Sequence, residues 1–176
     1  MTLRIRRADF SDPRLTAFLQ AHLDELAPTA PPESRHALDL RGLQQPGVRL
    51  WVGEVDGGIA ATGALAALGP GHEELKSMRT DPRRRGEGLG RLMLRHLLDD
   101  ATSRDVRQVS LETGSTEFFA PARALYAGAG FTVCRPFGDY RDDPHSVFMT
   151  LHLPLLPQPA LLEPSAPPLL AQRARQ

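Results

Sequence analysis

Apolar positions fall in two rhythms along this chain. In some stretches every second residue is apolar, in others apolar residues return after three or four, and each switch predicts a change from strand to helix. Residues 3–7 predict a first strand, after which Ser11 or Asp12 is placed to cap a helix carrying Leu15, Phe18, Leu19 and Leu23 and ending near Pro28. Leu38, Leu40 and Leu43 predict a second helix over 32–43, opened by Glu33 and Ser34 and broken by Pro46 and Gly47. Residues 50–55 and 59–68 then flank Asp56, Gly57 and Gly58, a turn sequence that closes hairpins.

The second half repeats the alternation. A strand over 74–80 stops at Asp81 and Pro82, since proline disrupts a ladder. Leu89, Leu92, Met93, Leu97 and Ala101 recur at helical spacing, with Arg91, Arg95 and Asp99 as a polar stripe, and this pattern ends near Ser103 and Arg104. Val109, Leu111 and Thr113 alternate with polar residues in a strand over 107–113. A further helix begins near Pro121, runs through Ala122, Leu125 and Tyr126, and stops at Gly128 or Gly130. Residues 131–135 read as another strand, and a last one follows. The predicted order is β, α, α, β, β, β, α, β, α, β, β.

Between the strand at 74–80 and the helix that follows lies Arg83, Arg84, Arg85, Gly86, Glu87, Gly88, Leu89, Gly90, Arg91. Glycines at 86, 88 and 90 remove the Cβ atoms that would keep a ligand from the backbone, so successive N–H groups can turn toward phosphate oxygens. The next helix adds its positive end, and the arginines add full charges in a planar fork suited to phosphate. A Walker loop is excluded, because Gly90 is followed by Arg91 and Leu92 instead of Lys-Ser/Thr. The GxGxG spacing also differs from a dinucleotide fingerprint.

Arg83-x-x-Gly86-x-Gly88 resembles the Q/R-x-x-G-x-G/A signature of the GCN5-related N-acetyltransferases, the GNAT family. Ala122, Arg123, Ala124, Leu125 and Tyr126, followed by Gly130 and Phe131, resemble the A-x-x-L-Y…G-F ending of the same domains. The resemblance spans about residues 3–153 and matches the predicted order element for element. It implies an α+β acyl-CoA N-acyltransferase fold, with a central, twisted, mostly antiparallel sheet of six to seven strands flanked by helices. By the same resemblance the loop at 83–91 holds the pyrophosphate of acetyl-CoA. Met78, Arg79 and Thr80 pair through their backbone with the pantetheine arm. Tyr126 protonates the departing thiolate, and a carboxylate on the preceding strand takes the proton of the amine. Glu74 is preferred for that role over its neighbour Glu73, because strand alternation sends the two to opposite faces and Glu73 adjoins the Gly69, Pro70, Gly71 turn, where solvent is expected. One position departs from the family: many relatives carry an asparagine where this chain has Phe119.

Two segments are assigned to the acceptor site: Pro31, Pro32, Glu33, Ser34, Arg35 and His36 with Asp39, and the later run through Phe137, Asp139 and Tyr140 to Ser146. Glu33, Glu112 and Asp139 would attract a cationic amine, Arg35 a carboxylate; His36 and Tyr140 complete the candidate acceptor residues. The acceptor expected is a small-molecule amine. Two alternatives stand beside it: a domain that binds acyl-CoA without turnover, and a protein or peptide N-acetyltransferase.

Composition narrows the remaining classes. The 176 residues suffice for one domain, 1–153, and hardly for two. Lys plus Arg equals Asp plus Glu at 21 each, so there is no general basic field and no nucleic-acid partner is expected. One cysteine, Cys134, permits no internal disulfide, residues 1–10 lack a signal-peptide core, and no apolar run reaches membrane-spanning length, so a cytoplasmic protein is expected. Six histidines without ligand spacing argue against a metal. Residues 154–176 hold six prolines and little periodicity, which predicts an extended or disordered tail. A homodimer is an expectation carried from the family alone.

Overall fold

The structure, a computed structural model, describes residues 2–34 and 36–154; Arg35 and the proline-rich tail beyond 154 lie outside it. Its elements are β1 (Arg4–Arg7), α1 (Pro13–Leu26), β2 (Val48–Val55), β3 (Gly58–Gly69), β4 (His72–Thr80), α2 (Leu89–Ser103), β5 (Gln108–Gly114), α3 (Ala120–Gly128), β6 (Thr132–Val133) and β7 (Ser146–His152). The seven strands form one sheet in the order β1-β2-β3-β4-β5-β7-β6. Every neighbouring pair is antiparallel apart from β4 and β5.

Local chemistry explains most boundaries. Asp12 accepts the Arg14 N–H at 2.9 Å and Pro13 occupies the first turn, which starts α1. Asp56 and Gly57 both take positive φ, 51° and 78°, the backbone of a two-residue hairpin turn that matches strand twist. Because side chains alternate along β2, Leu50 and Val52 pack with Leu15 and Leu19 of α1 on one sheet face. Trp51 points the other way, into a larger core with Leu89, Met93, Leu94 and Leu97 of α2 and Val109 and Leu111 of β5. Both faces are thus covered, and deleting a fully buried side chain such as Leu97 should cost about 2–5 kcal/mol.

Two expectations need correction. The described residues of 32–43 form no α-helix, only 3-10 turns at Pro32–Ser34 and Gly42–Gln44. Leu38 and Leu40 are two apart, the spacing of an extended segment, and both lie against the α1-facing core. Asp39 then takes the Gly42 N–H at 2.7 Å, diverting the backbone into a tight turn. The strand expected over 131–135 shrinks to Thr132–Val133, paired with Thr150 and Met149 of β7.

The sheet opens where β4 and β5 part. They pair only at His72↔Gln108, Glu73↔Val109 and Glu74↔Ser110. Further along β4, Ser77 and Met78 together oppose Gly63, a bulge in which Ser77 adopts a φ of 52° and its carbonyl accepts from Thr62 Oγ1 at 3.0 Å. Gly63 permits the bulge, since a Cβ there would stand 2.6 Å from Leu97 Cδ1 and 2.8 Å from Met78 Sδ. The parted strands leave a cleft between the later residues of β4 and Glu112, Thr113 and Gly114 of β5.

Candidate active site

On one side of the cleft a groove of about 420 Å³ runs from the end of β4 along the start of α2 to α3. Gly86 and Gly88 have φ of 85° and 79°, a region glycine enters without strain, and a Cβ at either would meet nothing within 4 Å. The backbone is therefore bare where it bends. Gly90 serves packing instead: its Cβ would sit 3.4 Å from both Leu125 Cδ2 and Thr80 Oγ1, so α2 lies close on β4 and α3. The first N–H groups of α2 have no acceptor within the helix and make its start an anion-attracting end. These features, with Arg84 and Arg85 on the wall, fit a bound pyrophosphate.

Ten of the residues assigned to the coenzyme line this groove: Met78, Arg79, Thr80, Arg84, Arg85, Gly86, Gly88, Leu89, Gly90 and Arg91. Arg83 and Glu87 do not. Arg83 turns back onto Asp81, with Nη2 to Oδ2 at 2.8 Å, and the contact pulls the Asp81 carboxyl down to about 2. Glu87 faces Arg84, which also reaches Asp56 at 3.1 Å. Arg85 pairs with Glu25 of α1, whose other oxygen takes Arg79 Nη1 at 2.8 Å. Phe119, Pro121, Ala122 and Leu125 give the groove an apolar flank, so the residue standing in the family's asparagine position contributes ring surface. That ring lies over Gly114, where a Cβ would be 2.1 Å from Phe119 Cδ2.

A second cavity, about 140 Å³, adjoins the groove and shares with it His22, Leu26, Met78, Phe119, Ala122 and Tyr126. Tyr126 therefore stands between the two. Burial, with the Glu112 charge adding to it, pushes the Tyr126 hydroxyl well above its ordinary value, so it stays protonated. Glu112 comes into the same cavity from β5; Ser146 Oγ donates to its Oε1 at 2.6 Å, while burial raises its pKa despite that bond. His22, which nothing in the sequence singled out, is pushed down to about 4 by burial and by Arg79, and is neutral at physiological pH. Its signal was faint: a histidine one turn before Glu25 and Leu26 on α1.

Glu74 lies elsewhere. It lines a neighbouring cleft of about 470 Å³ with Glu33, Asp139 and Tyr140, while His36 borders both cavities. Glu74 Oε1 accepts from Lys76 Nζ at 2.8 Å and from the Tyr140 hydroxyl at 2.6 Å, and Lys76 Nζ also donates to the Tyr140 oxygen at 2.9 Å. Of the three, only Lys76 is on the wall of the Tyr126 cavity. The expectation that Glu73 faces solvent is corrected: it is 7 % exposed and held by both terminal nitrogens of Arg104, at 2.6 and 2.7 Å, on the opposite sheet face. Cys134 is half-buried, with its thiol pushed up by burial. Among the described residues no cluster of three or more metal-ligating side chains occurs, and no helix is long and apolar enough to cross a membrane.

Comparison with known proteins finds relatives over most of the chain. The sequence profile of the acetyltransferase (GNAT) family matches residues 12–131. The uncharacterized N-acetyltransferase YsnE of Bacillus subtilis is 39% identical over 151 residues, covering 86% of this chain and 100% of that one. The uncharacterized N-acetyltransferase YedL of Escherichia coli is 42% identical over 149 residues, covering 85% of this chain and 94% of that one. A solved Klebsiella pneumoniae structure assigned as an acyl-CoA N-acyltransferase superposes with a TM-score of 0.72 at 32% identity, covering 86% of this chain and 98% of the other.

Proposed function

The chain belongs to the acetyltransferase (GNAT) family and is an acetyltransferase, and from that premise we propose that it moves an acetyl group from acetyl-CoA to the primary amine of a small-molecule acceptor, by direct attack in a ternary complex. The observation that carries this reading is Tyr126, shared by a groove with a bare glycine turn and a small cavity holding the half-buried carboxylate of Glu112.

The groove residues would hold the donor, with the backbone at 86–91 on its pyrophosphate and the β4 bulge beside its acyl end. A bulge leaves one residue out of the ladder, and we assign the backbone N–H at Met78 to polarise the acetyl carbonyl. One such donor is worth about 10²–10³ in rate. Glu112 is assigned to take the proton of the acceptor ammonium, in place of Glu74, because it shares the cavity with Tyr126 and its raised pKa makes it a stronger base than an ordinary carboxylate. The amine nitrogen then forms the new C–N bond, the C–S bond breaks, Tyr126 gives its hydroxyl proton to the departing thiolate, and the second proton shed by the nitrogen as it becomes an amide restores the Tyr126 hydroxyl, while Glu112 passes its proton to solvent. A cavity near 140 Å³ favours a small acceptor over a polypeptide. Action in the cytoplasm and as a homodimer belong to the same proposal.

The test is acetyl-CoA consumption by the purified protein, read as free thiol against amines, amino acids and short peptides, with coenzyme binding measured in parallel. Turnover on a small amine supports the proposal. Binding without turnover on any acceptor would move it to a sensor, and loss of binding altogether would overturn the groove assignment.

A further inference from the structure

We infer that the acceptor is a small amino acid, its ammonium end received by Glu112 and its carboxylate by Lys76, which makes Lys76 the residue that sets acceptor specificity. The inference rests on the function proposed above and specifies its substrate.

The argument starts from the orientation of one buried ion pair. Lys76 and Glu74 have side chains only 10% and 8% exposed, and they lie two apart on β4, on the same sheet face. A charge removed from water needs a partner, and here the pair is asymmetric with respect to the cavities. Lys76 borders the cavity that holds Tyr126, whereas Glu74 and Tyr140 border the cleft behind it. Glu74 Oε1 is occupied on its own side by the Tyr140 hydroxyl. The member of the pair on the wall of the Tyr126 cavity is thus the cation, and its charge acts on Glu112 across that cavity. An ammonium has three donors, and the structure shows two of them spent, on Glu74 and on the Tyr140 oxygen. The third is left for a ligand.

The same cavity carries one carboxylate, Glu112, and the rings of His22, His36 and His145. A diamine would bring its second cation toward Lys76, while a plain alkylamine would leave the Lys76 donor facing nothing. An amino acid satisfies both poles, and about 140 Å³ suits a molecule of that size. Sites built to bond a polar group reject analogues that lack it far more strongly than sites that merely discriminate shape.

The experiment compares kcat/KM for each common amino acid, its amide and its decarboxylated amine, using release of free thiol from acetyl-CoA. For the best amino acid, removing the carboxylate should lower kcat/KM by about a hundredfold, mostly through KM. Lys76→Gln exposes the buried Glu74 and is at risk of misfolding, so the double variant Lys76→Gln/Glu74→Gln, which leaves no unpaired charge, is measured with it. In the double variant the preference for the amino acid over its amine should fall to within about threefold, with coenzyme affinity unchanged. Equal use of amino acid and amine by the unaltered protein, or an amino acid preference that survives the double variant, overturns the inference and leaves acetyl transfer standing. Bound coenzyme with no amino acid consumed also overturns it. Failure to bind coenzyme removes the underlying function as well.

Discussion

Arg104 grips Glu73 with two parallel bonds, Nη1 to Oε1 at 2.6 Å and Nη2 to Oε2 at 2.7 Å, tying the end of α2 to β4 on the sheet face opposite to that of Glu74. Fork-to-carboxylate geometry is the strong form of an ion pair, and Asp100 Oδ2 accepts from the remaining nitrogen, Arg104 Nε, at 2.8 Å. Arg104→Ala should therefore lower stability by about 2–4 kcal/mol by stranding a buried carboxylate, while coenzyme affinity stays unchanged. Replacing both partners, Arg104→Leu with Glu73→Leu, should recover most of the loss. Urea unfolding of the two variants checks this; equal destabilisation in both would mean that packing, not the unpaired charge, sets the cost.

His22 makes stability depend on pH. Its folded pKa is depressed to about 4 from 6.5, so above pH 6.5 both folded and unfolded states carry it neutral and nothing is lost. As pH falls below 6.5 the unfolded chain gains a proton that the folded chain refuses until about pH 4, and stability declines across that window. The loss is about 2–3 kcal/mol by pH 4. His22→Gln should flatten this part of the curve, read as thermal midpoints between pH 7 and pH 4.5; an unchanged slope would assign the acid lability to other groups.

The parts legible in sequence are those whose cause is local. The turn at Asp56 and Gly57, the Asp12 cap and the glycine bends at 86 and 88 each depend on residues a few positions apart, and each stands where the pattern put it. What escaped depends on partners brought together by folding. Glu73 looks like a solvated strand end until Arg104, 31 residues on, folds over it. The Lys76–Tyr140 contact joins positions 64 apart, and no local spacing hints that it turns Glu74 away from the Tyr126 cavity. Residues 32–43 misled for a different reason: three leucines fit a helix by count, while their two-residue offset and the Asp39 turn decide for an extended path.

Gly88 tests the groove directly. A side chain there must adopt a φ of 79° and would project into the open space above the α2 start. Gly88→Trp should reduce acetyl-CoA affinity at least a hundredfold by filling that space. Gly88→Ala should cost about 1–2 kcal/mol of stability from backbone strain, with a smaller loss of affinity. Calorimetric titration with coenzyme A reads both, and tight binding by the tryptophan variant would move the pyrophosphate elsewhere.

Tyr126→Phe removes one hydroxyl from a ring otherwise held by burial and by Phe131 at 5.9 Å between centroids. On the proposed scheme kcat should fall about a hundredfold, with coenzyme affinity unchanged, because the ring still closes the groove. Turnover at the unaltered rate would assign the acid step to water or to another donor.

Glu112 separates function from stability in opposite directions. Burial raises its pKa, so the folded state holds the proton more tightly than the unfolded chain does, and folding favours the protonated form. The stabilising side of this linkage lies at low pH, below the ordinary carboxylate value, and is lost as pH rises through the raised folded value, where the half-buried group must carry charge. Glu112→Gln keeps the shape and an acceptor oxygen for Ser146 but never ionises, so at pH 7 it should be more stable than the unaltered protein. As the assigned base it should also lose about 10²–10⁴ in kcat. The unaltered enzyme should gain activity with rising pH along a limb whose apparent pKa lies above that of a free carboxylate, and the variant should lack that limb. A stable, fully active Glu112→Gln would show that the cavity carboxylate is only a charge for the ammonium to approach, and would return the proton to Glu74 or to solvent.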